Sequence, residues 1–198
     1  MPAHAAHPSA FPPGYLRTLQ RRILASPHFT TNTLNRDFVR TRGFSVVFRR
    51  ESRSRVEREF PFFAPYLARA LRPDCSAFYL NPLRLERGSR VDPHIDRSLR
   101  SYCKEIPVPL TVSVLYVAVP EDLRGGELVL ARGKKRLACL RPVTGTLVFF
   151  DGDLTHSIEP MESEGARLSL VCEQYDLAAD ELERIPAFAI ETRARTYD

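Results

Sequence analysis

The sequence lacks any apolar run of the ~18 residues that a membrane-spanning helix needs. Its N-terminus has neither a basic start nor an apolar stretch typical of a secretory signal. We therefore expect a cytoplasmic protein without a membrane segment. Cysteine is also scarce, and the four cysteines are scattered without a CxxC pair: Cys75, Cys103, Cys139 and Cys172. This pattern disfavours a disulfide framework or a zinc knuckle.

Lysine is nearly absent, although the chain is basic. Only three of the 29 basic residues are lysines, and the net charge is +5. The densest basic stretch, FRRESRSRVEREF, interleaves arginine with glutamate, which is typical of a solvated helix face. We therefore do not expect nucleic acid as a partner. The charge is compatible with binding of small acidic molecules.

The pattern along the chain predicts one domain with a mainly β core. Residues 1–13 are rich in proline and alanine and are expected to form a flexible tail. Residues 14–74 contain helical spacing, as in Leu16, Leu19 and Ile23, and one strand at GFSVVFRR, so they are expected to be helical support. Short β-rich runs between about 75 and 177 predict a jelly-roll sandwich or barrel. Residues 178–198 are expected to be a C-terminal extension, and LAADELERIP, which follows Asp176, predicts a short helix.

One short motif places a histidine beside an aspartate. In RVDPHIDRS, His94 and Asp96 share one face of a strand because successive side chains alternate. His156 follows the strand GTLVFFDGD, and Arg167 begins the next strand, GARLSL. The segment between them contains the proline, serine and glycine of a connection that folds back. Arg167 is therefore expected beside the strand of His156.

Two imidazoles and one carboxylate are typical of the facial triad of non-haem Fe(II) oxygenases. Such a triad leaves three coordination positions open, two for a 2-oxo acid and one for O2. The far carboxylate of the co-substrate also needs a partner, and a guanidinium binds it bidentately. Arg167 provides that group, and Ser169 shares its face of the strand.

In this order, HxD, LYVAVP with GGEL, GTLVFFD with HSIEP, and GARLSL resemble the Fe(II)/2-oxoglutarate-dependent dioxygenase superfamily, within it the prolyl 4-hydroxylase-like branch. The resemblance covers about residues 76–177. It implies a double-stranded β-helix of the cupin type, Fe(II) as the metal, and 2-oxoglutarate and O2 as co-substrates. It implies these roles: iron ligands His94, Asp96 and His156; 2-oxoglutarate anchor Arg167 with Ser169; further cofactor-binding candidates Tyr116 and Tyr79.

The resemblance implies hydroxylation of an aliphatic C–H in an amino-acid, peptidyl or related small-molecule substrate. Desaturation, epoxidation or cyclisation would use the same chemistry and stay open. Nucleic-acid demethylases of the superfamily have a second arginine where this chain has Glu173, which argues against alkylated bases. Related halogenases replace the carboxylate ligand by a small residue, whereas this chain keeps Asp96.

Several alternatives remain at this point. The same three ligands also suit a zinc-dependent hydrolase, and a non-catalytic cupin-like binding protein is a third interpretation. The loop RSLRSYCKEIPVP contains Arg97 and Arg100, either of which is a candidate for pairing with a substrate carboxylate; an exposed loop face is the competing interpretation. The sequence is compatible with a monomer or a homodimer.

Overall fold

The structure, a computed structural model, describes residues 3–32 and 37–192, with only the backbone at Thr31 and Asn32. Within these ranges the helices are α1 (Pro13–Leu24), α2 (Arg53–Glu59), α3 (Ala64–Ala70) and α4 (Ala179–Glu183). The strands are β1 (His4–His7), β2 (Thr30–Asn32), β3 (Phe38–Gly43), β4 (Ser45–Arg49), β5 (Ala77–His94), β6 (Thr111–Ala118), β7 (Leu128–Arg132), β8 (Lys135–Leu140), β9 (Leu147–Asp151), β10 (Thr155–Ile158), β11 (Arg167–Tyr175) and β12 (Phe188–Glu191). Short 3-10 turns lie at Arg50–Ser52, Pro61–Phe63 and Ser98–Ser101.

The strands form one curled antiparallel sheet in the order β1-β9-β6-β11-β5-β10-β7-β8. Strand β5 is long enough to pair with different neighbours along its length. Its first part pairs with β11 and β4, and its last residues pair with β10. Further strands extend this side of the sheet: β3 pairs with β5, β2 with β3, and β12 with β4.

Helices α1, α2 and α3 cover the outer face of the sheet. Leu16, Leu19 and Ile23 recur at helical spacing in α1, and all three are buried. They belong to a hydrophobic cluster that also contains Phe78 and Leu170 from the sheet. The opposite, inner face carries buried polar side chains among further hydrophobic clusters.

The N-terminal tail predicted over residues 1–13 is wrong for the part that the structure describes. His4–His7 pair with Leu147–Phe150 of β9, and Ala10 and Phe11 are buried. Pro13, the last residue of the predicted tail, is already the first residue of α1. The segment carries too few apolar residues to show the alternation of a strand. Its pairing satisfies backbone groups at the sheet edge and does not require such a pattern.

The region expected to be helical support also contains strands. The strand predicted at GFSVVFRR is found as β4, but β2 and β3 were not predicted. The short helix predicted after Asp176 is found as α4. The extension then continues as β12, which pairs with β4.

The predicted architecture, a mainly β jelly-roll core with N-terminal helices, is confirmed. No helix in residues 3–32 or 37–192 is long and apolar enough to cross a membrane.

Candidate metal centre and carboxylate pocket

Strand register brings the two predicted histidine ligands together. His156 of β10 is the direct cross-strand partner of His94 of β5. Directly opposite residues in an antiparallel pair hold their Cβ atoms about 4.5–5.5 Å apart, and the two imidazole centroids lie 4.4 Å apart. Asp96 lies two residues after the end of β5, and its carboxylate lies beside both imidazoles. Among the described residues, these three form the one group whose ligand atoms lie within 4.8 Å of one another.

The hydrogen bonds of the two imidazoles orient them for a shared ion. His94 Nδ1 lies 2.8 Å from the carbonyl oxygen of Asp92, and His156 Nδ1 lies 3.2 Å from that of Leu154. A carbonyl only accepts, so each Nδ1–H donates and each Nε2 faces the cluster. His94 Nε2 lies 3.2 Å from Asp96 Oδ1, and His156 Nε2 lies 3.4 Å from Asp96 Oδ2.

The pKa values of the three residues in the cluster are shifted in different directions. Burial lowers the pKa of His94, but the hydrogen bond and charge of Asp96 outweigh it and raise the pKa to about 9. Burial lowers the pKa of His156, and Asp96 does not fully offset this because the charge of His94 adds to the lowering. Burial raises the pKa of Asp96, but the two histidines outweigh it, so the net pKa is lowered. Asp96 therefore favours the protonated form of His94 more than that of His156.

The donor set fits a divalent metal ion. Two imidazole nitrogens and one carboxylate converge, and the buried Asp96 Oδ2 has no hydrogen-bond partner in the described part of the chain. An ion at this position would satisfy that oxygen and replace the proton of His94. His94, Asp96 and His156 are therefore the residues that could hold a metal.

A second group of buried polar atoms lies around Arg167. Ser169 is the cross-strand partner of Tyr116, and the Arg167 guanidinium lies 5.5 Å from the Tyr116 ring centroid. Arg167 is 1% exposed, Tyr116 1% and Ser169 0%. In the described ranges, Arg167 Nε, Tyr116 OH and Ser169 Oγ have no hydrogen-bond partner. All three atoms can donate, which is what a bound carboxylate requires.

The electrostatics of this group suit an anion. Burial lowers the pKa of the Arg167 guanidinium, because the charged form has lost water. Burial also raises the pKa of Tyr116, and the charge of Arg167 offsets this only in part. Both side chains stay in their donating forms near neutral pH, and a carboxylate would compensate the buried positive charge.

The GGEL turn holds the guanidinium from the other side. Arg167 donates through a terminal nitrogen to the carbonyl oxygen of Gly126. Gly126 has φ +73°, and an added Cβ would lie 2.5 Å from Met161 Sδ. A side chain at this position would therefore be strained and would collide with a buried residue. The glycine lets the backbone carbonyl approach Arg167.

Tyr79, Arg97 and Arg100 are not brought into either group by the described contacts. Tyr79 pairs with Glu173, about 20 Å along β11 from Arg167 at ~3.3 Å per residue, and Ser45 donates to its hydroxyl at 2.7 Å. Its cofactor role stays a prediction. Arg100 donates to the carbonyl of Ile106 at 2.8 Å, so it stabilises its own loop. The Arg97 side chain is exposed and has no polar partner in the described ranges.

Sequence reasoning missed residues that surround the cluster. Phe38 of β3 packs against His94, with ring centroids 5.5 Å apart, and Phe150 of β9 lies 5.0 Å from His156. Glu173 is buried on the inner face and bonds to Ser98, in the loop after Asp96. No local sequence signal marks Phe38, because its contact depends on the pairing of β3 with β5.

Comparison with known proteins agrees with this geometry. Residues 80–172 match the family model of the 2OG-Fe(II) oxygenase superfamily. A PKHD-type hydroxylase from Janthinobacterium sp. (strain Marseille) is 30% identical over 117 residues, covering 57% of this chain and 51% of that protein. The chain thus spans about half the length of this curated relative.

Solved structures share the fold at low identity. A Pseudomonas putida prolyl-4-hydroxylase aligns with TM-score 0.61 and 17% identity, over 89% of this chain and 94% of that one. A prolyl hydroxylase from Trichoplax adhaerens, in complex with a hypoxia inducible factor oxygen degradation domain peptide fragment, aligns with TM-score 0.59 and 12% identity. That alignment covers 92% of this chain and 87% of the other.

Fold and site together define a jelly-roll protein with a His-Asp-His cluster and a buried guanidinium. The resemblance to Fe(II)/2-oxoglutarate-dependent oxygenases of the prolyl 4-hydroxylase-like branch, predicted from the sequence, is confirmed by these comparisons. Fe(II), 2-oxoglutarate and O2 are the cofactor and co-substrates of that family.

Proposed function

We propose that this chain is an Fe(II)/2-oxoglutarate-dependent dioxygenase that hydroxylates an aliphatic C–H of an amino-acid, peptidyl or related small-molecule substrate. The observation that carries the proposal is the set of three buried, unpaired donors at Arg167, Tyr116 and Ser169. Leaving such groups unpaired costs about 1–3 kcal/mol each. A dicarboxylic co-substrate would satisfy all three.

Each residue has a defined task in this proposal. His94, Asp96 and His156 hold the metal, and the carbonyls of Asp92 and Leu154 keep the imidazoles oriented. Bound Fe(II), with 2-oxoglutarate and O2, supplies the oxidation of a C–H bond, coupled to decarboxylation of 2-oxoglutarate to succinate and CO2. Arg167, Tyr116 and Ser169 bind the far carboxylate of 2-oxoglutarate and so exclude water from that end of the pocket.

The alternative functions account for less of the site. A zinc-dependent hydrolase would use the same three ligands but would leave the donors around Arg167 without a partner. A non-catalytic binding protein would need neither the metal nor the orientation of both Nε2 atoms. Both alternatives are outcomes of the experiment below.

The loop beside the metal cluster supports the proposed substrate class. Arg97 is exposed next to Asp96 and has no polar partner in the described ranges, so it is available to a substrate carboxylate. Arg100 is engaged by Ile106, which makes Arg97 the better candidate of the two. Two structural neighbours are prolyl hydroxylases by name, so prolyl peptides and free amino acids are the first substrates to test. Glu173 stands where nucleic-acid demethylases have an arginine, so nucleic acid is not proposed.

The test is a two-stage assay on the purified protein. Anaerobic addition of Fe(II) and 2-oxoglutarate should give the weak visible charge-transfer band of the chelate. Exposure to air should then release succinate, and a substrate should accelerate the release. Zinc-dependent hydrolysis without O2 consumption would favour the hydrolase. Failure to bind Fe(II) and 2-oxoglutarate at all would favour the binding protein.

A further inference from the structure

The inner face of β11 carries two polar residues that the proposed function does not use. Successive side chains of a strand point to opposite faces, so Glu173 and Tyr175 lie on the same face as Arg167 and Ser169. Glu173 is 3% exposed and Tyr175 is 0% exposed. Their position is at the opposite end of β11 from the carboxylate pocket. A buried glutamate there needs partners, because a buried polar group without a hydrogen bond is costly.

Glu173 finds those partners in the loop that follows Asp96. Its carboxylate accepts the Ser98 backbone N–H at 3.1 Å and also accepts the Ser98 hydroxyl. Tyr175 donates its hydroxyl to the same carboxylate. Tyr175 also packs in one hydrophobic cluster with Leu99. We call Glu173, Tyr175 and Ser98 the Ser98 clamp.

The clamp lies directly after the strand that carries His94. His94 is the last residue of β5, and residues 95–97 form neither helix nor strand. Ser98 begins the 3-10 turn two residues after Asp96. The segment that carries Asp96 therefore lies between the ladder of β5 on one side and, on the other, a 3-10 turn whose first residue is held by Glu173.

We propose that Glu173 is a positioning residue for the metal site. By holding Ser98, it keeps the carboxylate of Asp96 against both histidines, so it sets the affinity for the metal without touching it. This inference rests on the proposed function of His94, Asp96 and His156. Outer-shell partners of metal ligands typically change metal affinity by about 10–100-fold when they are removed.

The test measures anaerobic Fe(II) binding for wild type and four variants. Glu173→Ala removes all three hydrogen bonds and should weaken Fe(II) binding about 10–100-fold. Glu173→Gln keeps a carbonyl oxygen for the Ser98 N–H and should recover most of the affinity. Ser98→Ala loses one bond of the clamp and should fall between wild type and Glu173→Ala. Hydrogen exchange at the Ser98 amide should be faster in Glu173→Ala, because the amide has lost its acceptor.

Gln174→Ala is the matched control. Gln174 is the neighbouring residue on β11, is also fully buried, and bonds to Ala70, Arg72 and Ser113 on the helical side. This variant should lower the melting temperature but leave Fe(II) affinity within about twofold of wild type.

The outcomes separate the two proposals. Wild type that binds no Fe(II) would overturn the proposed function and, with it, the inference. Wild type that binds Fe(II), with Glu173→Ala unchanged or with Gln174→Ala equally weakened, would overturn the inference alone. If Glu173→Ala does not fold, Ser98→Ala decides it, and an Fe(II) affinity equal to that of wild type in Ser98→Ala would reject the inference.

Discussion

Replacing Tyr116 by phenylalanine is expected to weaken 2-oxoglutarate binding while leaving the fold at least as stable. The Tyr116 hydroxyl is buried and unpaired, so its loss removes no hydrogen bond from the free protein. An unpaired buried polar group costs about 1–3 kcal/mol, and its removal should therefore keep or raise the melting temperature. A hydrogen bond to a charged group contributes about 1.5–3 kcal/mol. Loss of that bond predicts about 10–150-fold weaker 2-oxoglutarate binding.

The assay compares two co-substrates by anaerobic titration of the Fe(II) charge-transfer band. Pyruvate has the same chelating end as 2-oxoglutarate but lacks the far carboxylate. Tyr116→Phe and Ser169→Ala should therefore weaken 2-oxoglutarate and leave pyruvate unchanged. Arg167→Met should produce the largest loss, because it removes the charge as well. Equal weakening of both compounds, or no weakening of either, would refute the assignment of this pocket to the far carboxylate.

Three further predictions concern protonation, the substrate and the N-terminal strand. Because the pKa of His94 is raised to about 9, metal must displace its proton below that pH; the apparent association constant for Fe(II) should rise about tenfold per pH unit between pH 7 and 8 and level off above 9, and a pH-independent constant would contradict this. Arg97→Ala should raise the KM for a carboxylate-bearing substrate at constant melting temperature, whereas Arg100→Ala should mainly lower the melting temperature because it loses the bond to Ile106; unchanged KM in Arg97→Ala argues against the substrate role. Removal of the first eleven residues takes away β1 and buried Phe11, which at about 1.5–3 kcal/mol for one buried side chain should lower the melting temperature by at least ~3 °C; an unchanged value would mean that β1 contributes no stability.

The sequence predicts the candidate site where chemistry restricts residue type. Few combinations other than two histidines and an aspartate suit Fe(II), and Arg167 with Ser169 follows from strand alternation. The structure brings these five residues into two groups, with Tyr116 beside Arg167.

The remainder depended on contacts between distant segments. Tyr79 shares the inner face of the sheet, but its distance from Arg167 along β11 is set by register that the sequence does not display. The sequence used Glu173 only to argue against alkylated bases as substrates. Its contact with Ser98 was not predictable, because the two residues lie 75 positions apart. The strand β1 was missed because a short edge strand needs little hydrophobic pattern of its own.

The direct pairing of His94 with His156 has a consequence for folding. Strand side chains alternate, so a shift of one residue between β5 and β10 would turn one imidazole to the opposite face. A molecule with that error would contain every ligand and still fail to chelate. Iron content per molecule would then report the fraction of chains whose β10 has docked correctly, and metal present during refolding should select for them.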